Sequence, residues 1–291
     1  LWLSCWLGLT LPPACGVRSP PRMLDCASYR RDRAESGGAR PRISVITVCL
    51  NAATHLQQTL DSVAEQHCKS REHIVIDGGS TDGTATILDA NRGSLAHCLS
   101  EPDTGIGNAM NKGARLARGE YLFFLNADDF LASANSLTPV AEALRARSAQ
   151  IICCPIWFRA EDGRQSLRRP RGFSAWSAFK QAAPHQGTFF AHDLFWSLGG
   201  FDEQFRIGID FDLFLRARRA RATLCILSEP VVVMRDGGVG SLRDWPAVDR
   251  RLREERAAQL KEPDARLRVL YRFFWSVYRP YRRCRALLGG R

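Results

Sequence analysis

Two acidic positions each close an apolar run and a third opens a helix, and these are the groups that could do chemistry. Asn126-Ala127-Asp128-Asp129 ends the run Tyr121–Leu125, Asp77 ends His73–Ile76, and Asp210 with Asp212 follows Gly208-Ile209. Two carboxylates about 4 Å apart repel by about 4 kcal/mol at an effective dielectric near 20. A divalent cation removes that cost, and with oxygen ligands alone it is a hard one, Mg²⁺ or Mn²⁺. Asp128 and Asp129 are therefore candidate metal ligands, set against the plainer reading of an acidic turn that caps a helix. Asp77 opens Gly78-Gly79-Ser80-Thr81-Asp82-Gly83-Thr84, where glycines let backbone approach a ligand closely. Its plainer reading is also a capping turn. Asp210 is either a helix N-cap or a general base, and spacing alone leaves both open. His185-Gln186, between Pro184 and Gly187, is a polar pair in an apolar stretch, and a lone His of this kind is more often structural than catalytic.

Other ligand loops are excluded by their own chemistry. The glycine loop after Asp77 has Gly79 and Thr81 where an EF-hand needs acidic or amide ligands. No G-x-G-x-x-G follows the first apolar run, and no G-K-[ST] occurs, so neither a dinucleotide fingerprint nor a P-loop is present.

Positioning these acids requires strands that end where the acids begin. Ile43–Leu50 is a β-branched run and predicts a central strand, followed by a helix through Leu56, Leu60, Val63 and Ala64. Arg71–Asp77 predicts a second strand, Ala85–Asn91 a helix, Leu95–Leu99 a weaker strand, and Asn108–Gly119 a helix leading into Tyr121–Leu125. A helix near Pro139–Arg147, a strand over Ile151–Arg159, a turn at Glu161–Gly163 and a strand over Pro184–Ala191 follow. Asp210 opens a further helix, Leu224–Met234 reads as the last strand, and 246–291 as one or two Arg-rich helices. Alternation of this kind predicts an α/β fold with a mostly parallel central sheet flanked by helices. In such sheets ligands bind at the C-terminal ends of the strands, where these acids fall.

Bulk properties narrow the field. The 291 residues suffice for one large α/β domain with appendages. Of the net charge of +11, most belongs to 241–291, which holds 13 Arg and 1 Lys against 6 acids. Ten cysteines occur without C-x-x-C or zinc spacing, which fits free thiols in a reducing compartment. No run approaches the roughly 20 apolar residues of a membrane span. Residues 1–41 read as a disordered or non-native leader: an 11-residue apolar start without a basic n-region, then a stretch rich in Pro, Arg, Gly and Ser, with Met23 as the first methionine. The expected layout is thus a leader over 1–41, a catalytic-type domain over 42–240 and a basic helical tail over 241–291.

Six motifs in order carry a resemblance. They are Asn51 to Gln66 (N-x₄-L-x₃-L-x-S-V-x-x-Q), His73 to Thr84 (H-I-V-I-D-G-G-S-T-D-G-T), Ser100 to Gly113 (S-E-P-D-T-G-I-G-N-A-M-N-K-G), Ala117 to Asp129 (A-R-G-E-Y-L-F-F-L-N-A-D-D), His185 to Phe190 (H-Q-G-T-F-F), and Gly199 to Arg216. Together they resemble family 2 glycosyltransferases, nearest to the bacterial branch that builds colanic-acid-like and other surface polysaccharides. The resemblance spans Ile43 to Gly240. It implies the GT-A (nucleotide-diphospho-sugar transferase) fold and an inverting transfer from a nucleotide-diphosphate sugar, UDP-linked by family habit, to a hydroxyl of a glycan or lipid-linked acceptor. Thr47, Asn51, Asp77, Gly79 and Ser80 match positions around the base and ribose. Asn111 and Lys112 match positions beside the diphosphate. Asn126 with Asp128 and Asp129 matches the metal motif, which implies Mg²⁺ or Mn²⁺. Asp210 matches the acid that deprotonates the acceptor, and His185 and Gln186 match the acceptor side. This chain departs from the family at three places: Asn126 stands for a frequent Asp, Ile209 for the Glu that often precedes the base, and Gly107-Asn108 for a common Tyr-Asp pair.

Residues 262–291 mix aromatics with arginines, which suits an interfacial helix on an anionic membrane surface and a place on the cytoplasmic face of the membrane. The bland alternative is a surface helix packing its aromatics on the core. No nucleic-acid-binding module stands behind the charge, so nucleic acid is not expected as a partner. A nucleotidyltransferase on a similar sheet lacks its G-x-G-T-R-like loop here. The alternative from another class is a catalytically silent, membrane-associated nucleotide-sugar-binding protein, favoured by Ile209 and Asn126.

Overall fold

The computed structural model describes residues 42–145, 149–237 and 244–287. The expected leader, 1–41, and the expected boundary at 240/241 lie outside the described residues.

β1 (Ile43–Cys49) is buried along its whole length, as a strand covered on both faces must be. β2 (Arg71–Asp77) and β4 (Tyr121–Asn126) pair with it in parallel, one on each side. β3 (His97–Ser100) adds outside β2. Beyond β4 come β9 (Thr188–Ala191), β6 (Ile151–Cys153) and β10 (Leu224–Ile226), completing a seven-stranded sheet in the order β10-β6-β9-β4-β1-β2-β3. β9 is the one strand of this sheet that runs antiparallel to its neighbours. The crossovers supply α1 (Leu56–Ala64), α2 (Thr84–Asn91) and α3 (Ile106–Leu116). α3 approaches the sheet closely: a Cβ on Gly113 would lie 2.4 Å from Ile46 Cγ2.

Two expected strands are each cut by a proline. Ile151–Arg159 becomes β6 and, after Pro155, β7 (Ile156–Arg159); Leu224–Met234 becomes β10 and, after Pro230, β11 (Val232–Arg235). Proline donates no ladder hydrogen bond, so both chains leave the main sheet there. β7 and β11 then pair in parallel in a second sheet, ordered β5-β11-β7-β8, with β5 (Phe130–Leu131) and β8 (Gln165–Arg168) at its edges.

α4 (Thr138–Arg145), α5 (His192–Ser197) and α6 (Ile209–Arg219) complete the α/β part. α7 (Trp245–Leu260) and α8 (Ala265–Leu287) form a helical hairpin. The hairpin buries Val248, Leu252, Tyr271 and Trp275 together with Ala178. Gln259 ties it down, accepting from Trp275 Nε1 and donating to the Ala178 carbonyl at 2.7 Å. Arg219 of α6 pairs with Glu262 at 2.8 Å. Through these contacts α7 and α8 pack against Ala178 and α6.

Candidate active site

The register collects the acids at one sheet edge. Cys49 lies opposite Asp77 and Val48 opposite Asn126. With neighbouring strands about 4.8 Å apart, Asp77 and Asn126 flank the end of β1 at roughly 10 Å from each other. β9 enters the sheet antiparallel to β4, Phe189 opposite Phe123, so His185-Gln186-Gly187 just before it returns to the C-terminal end of β4.

Asp77 is fully buried. Its carboxylate accepts the Ser80 amide at 3.2–3.3 Å, the Ser80 hydroxyl, and the Ser100 hydroxyl at 2.6 Å. Burial alone would raise its pKa, but the donors from Ser100 and Ser80 outweigh it and hold it below the usual carboxylate range. Asp77 thus folds the glycine loop around itself. Asn51 has a positive φ of 51°, its amide donates to Ser80 Oγ at 2.7 Å, and its side-chain oxygen accepts Thr81 N at 2.9 Å. Gly79 needs its φ of 87°, and a Cβ on Gly78 would lie 2.4 Å from Asp103 Oδ2, so that side chain would have to shift. The loop of Asn51, Gly79 and Ser80, overhung by Asp103, forms one wall.

Three residues expected to face a donor are engaged elsewhere. Thr47 is fully buried in mid-strand, with its hydroxyl 3.0 Å from His73 Nε2. Asn111 is also buried: it donates to the Phe201 carbonyl and to Glu203, and accepts the Phe201 amide, at 2.8–2.9 Å. It clamps the loop before α6 onto α3. Lys112 pairs with Glu101 at 2.6 Å and donates to the Pro102 carbonyl at 3.1 Å, bracing the loop that carries Asp103.

The turn after β4 is held from two sides. The Thr59 hydroxyl of α1 lies 2.8 and 2.7 Å from the carbonyls of Ala127 and Asp129. Arg235 of β11 donates its amide to Asp129 Oδ1 at 3.0 Å and its guanidinium to the Asp128 carbonyl and the Gln58 side chain. Asp129 is buried, with its other oxygen 3.3 Å from Asn126 Nδ2. Burial, reinforced by the charge of Asp128, pushes its carboxyl well above the usual range. Without a cation, Asp129 is held within the turn by the Arg235 amide and Asn126 Nδ2. Asp128 is half-buried, and its carboxylate accepts no hydrogen bond among the described residues. Asn126 Oδ1 is buried without a partner. No cluster of three or more His, Cys, Asp or Glu is poised for a metal among the described residues. Two hard oxygens at a strand end do fit Mg²⁺ or Mn²⁺, which keep waters and take phosphate oxygens to complete their shell.

Asp210 sits in the first turn of α6, where its Oδ1 accepts the Phe211 amide at 2.8 Å. Its Oδ2 lies 2.9 Å from Gln181 Nε2 and 3.2 Å from His185 Nδ1. His185 Nε2 is buried with no partner, and Gln186 is buried beside it in sequence. The chain leading to Asp210 is held from α7: Glu254 Oε2 accepts the amides of Arg206, Ile207 and Gly208 at 2.7–3.0 Å. Burial raises the neighbouring Glu255 carboxyl; Arg251 and Lys180 oppose this, and Asp210 adds to it. α7 thus places a carboxyl near Asp210, although Ile209 occupies the position before it.

Gln181, Glu254, Glu255, Thr59 and Arg235 escape sequence reasoning. Glu254 and Glu255 sit in an Arg-rich run that reads as a solvated face, and Thr59 and Arg235 act through backbone or inward contacts.

A mostly parallel sheet with acids at the C-terminal ends of β2 and β4, and a third acid on a later helix, defines a GT-A glycosyltransferase. The profile described as Glycosyl transferase family 2 matches residues 44–203, and the chain belongs to that family. It is 37% identical over 220 residues to an uncharacterized glycosyltransferase of Mycobacterium tuberculosis, covering 72% of this chain and 80% of the relative. It is 33% identical over 186 residues to a PGL/p-HBAD biosynthesis glycosyltransferase of Mycobacterium bovis, covering 61% of this chain and 70% of that one. Among solved structures it resembles a mannosyltransferase from Pyrobaculum calidifontis in complex with GDP-Man and Mn²⁺ (TM-score 0.63, 18% identity, 89% of this chain and 79% of that one). It also resembles S. aureus TarS 1-349 in complex with UDP-GlcNAc (TM-score 0.61, 17% identity, 79% and 69%).

Proposed function

We propose that this glycosyltransferase moves a sugar, with inversion, from a nucleotide-diphosphate donor of the UDP type to a hydroxyl of a glycan or lipid-linked acceptor in surface polysaccharide assembly. The observation that carries the reading is the register: Asp77 and Asn126 flank the end of β1, with the free carboxylate of Asp128 beside them. The neighbours bound to GDP-Man with Mn²⁺ and to UDP-GlcNAc support the donor class through their shared fold.

In this reading the loop of Asn51, Gly79 and Ser80, folded around Asp77, receives the nucleoside. Asn126 and Asp128 would hold the cation, which when bound would offset charge on the diphosphate. Asp210 accepts the proton of the acceptor hydroxyl as its oxygen bonds to the anomeric carbon and the bond to the diphosphate breaks. Gln181 and His185 fix the carboxylate for that task.

Turnover tests the reading. Purified protein with Mn²⁺ or Mg²⁺ should release nucleoside diphosphate slowly from one member of a nucleotide-sugar panel, and chelation should stop the release. Asp210→Asn should keep donor affinity within a few-fold and lose transfer to any acceptor. Donor binding with no turnover under any condition would favour the catalytically silent alternative.

A further inference from the structure

α8 divides into three faces when its residues are placed at 100° intervals. Tyr271, Phe274, Trp275 and Tyr278 form the face packed in the hairpin core. On the opposite side Val269, Phe273, Val277 and Leu287 are exposed; Phe273 keeps 69% of its surface and Leu287 79%, while Tyr281 borders the core face, its ring centroid 6.3 Å from that of Tyr278. An apolar stripe this continuous on a polar helix calls for a cover. The third face, between the two, is basic. It borders a cavity of about 380 Å³ lined by Trp245 and Arg256 of α7 and by Arg272, Trp275, Arg279 and Arg283 of α8. The lining shares no residue with the strand-edge site.

The charges around this cavity are unbalanced. Asp249 is bound by Arg253 and Arg279, Glu254 by the amides of residues 206–208, Glu255 by Arg251, and Glu262 by Arg219. Arg256, Arg272 and Arg283 make no ion pair or hydrogen bond among the described residues. We infer that this face of the hairpin docks on an anionic lipid bilayer, with the arginine cavity taking a headgroup phosphate and the stripe from Val269 to Leu287 entering the acyl boundary. Charge decides the occupant. A second copy would bring unpaired arginines against arginines, whereas anionic lipid supplies the missing counter-charge and the apolar phase together. The helix lies in the interface, since no helix among the described residues is long and apolar enough to cross a membrane. The surface deepens the reading of a lipid-linked acceptor. It draws Trp245 and Arg256 from α7 as well, beyond the 262–291 segment singled out by composition.

The experiment is sedimentation of the full chain with vesicles of mixed phosphatidylglycerol and phosphatidylcholine, and with pure phosphatidylcholine. Binding is expected to the anionic vesicles alone. The triple variant Arg256→Gln, Arg272→Gln, Arg283→Gln should bind about a hundredfold more weakly, since each basic residue near such a surface contributes about fivefold. Phe273→Ser with Val277→Ser should also detach it. All three positions of the first variant and both of the second are exposed, and circular dichroism melts should match the parent. Equal binding to both vesicle types, or no effect of either variant, overturns the surface. So does a concentration-dependent dimer that Phe273→Ser abolishes in protein that ignores vesicles. Nucleotide release in solution needs no membrane, so failure here and failure of the glycosyl-transfer reading are separate results.

Discussion

His73 is a buried base with one partner, Thr47 Oγ1, and burial, reinforced by Arg71, lowers its pKa to about 3 from 6.5. A folded pKa below the unfolded one means the unfolded chain binds the extra proton between the two values. The contribution to stability is therefore complete above 6.5 and is lost as pH falls toward about 3. Each pH unit in that window removes up to about 1.4 kcal/mol. Urea unfolding measured between about pH 6.5 and about pH 4 should show this slope, and Thr47→Val with His73→Leu should flatten it. Equal slopes in the two proteins would mean that His73 is protonated in the fold. The same pair shows what the spacing around Thr47 left open. Its place in a strand was legible, but a period of two decides which face it takes, and the partner that claims its hydroxyl stands 26 residues away on β2.

At the scale of elements, the strands that end in acids were legible because a buried parallel strand must be apolar throughout and its end must not be. β1, β2 and β4 meet that demand, and they carry the edge on which Asn51, Asp77, Asn126 and Asp128 lie. The divided strands also left a signal, since Pro155 and Pro230 interrupt runs that otherwise read as continuous. The support of Asp210 left none. Glu254 reaches the amides of residues 206–208 from 46–48 residues downstream, and nothing in a charged helical run marks one Glu as an inward acceptor. Charge-assisted bonds of this type contribute about 1.5–3 kcal/mol each and do not add fully. Glu254→Ala should thus cost about 2–4 kcal/mol in urea unfolding and lower turnover more than donor affinity, because the start of α6 carries Asp210. Glu254→Gln, which keeps one acceptor oxygen, should lose less of both. If turnover survives Glu254→Ala unchanged, the loop does not position the base.

At the scale of the whole molecule, the hairpin joins the two halves of the functional reading. One side of it holds the chain before Asp210 and covers Ala178, while the other presents the arginines and the apolar stripe. A lipid-linked acceptor would then be taken up by the same pair of helices that steadies the base. The arrangement has a consequence for truncation. Removing everything after residue 261 strips Tyr271 and Trp275 from Val248 and Leu252 and deletes the Glu262 partner of Arg219. Two buried aromatic side chains account for roughly 150–250 Å² each, and losing either in a core costs about 3–5 kcal/mol. A chain ending at residue 261 should therefore melt at least several degrees below the full chain, and one ending at residue 243, without Glu254 and Gln259, should not give a cooperative melt at all. Circular dichroism melts with gel filtration check this. A truncated chain that melts like the full one would make the hairpin an appendage and detach the membrane surface from the catalytic domain. If it melts early instead, loss of vesicle binding on truncation reflects unfolding as much as a missing surface, and the exposed-face substitutions become the decisive variants.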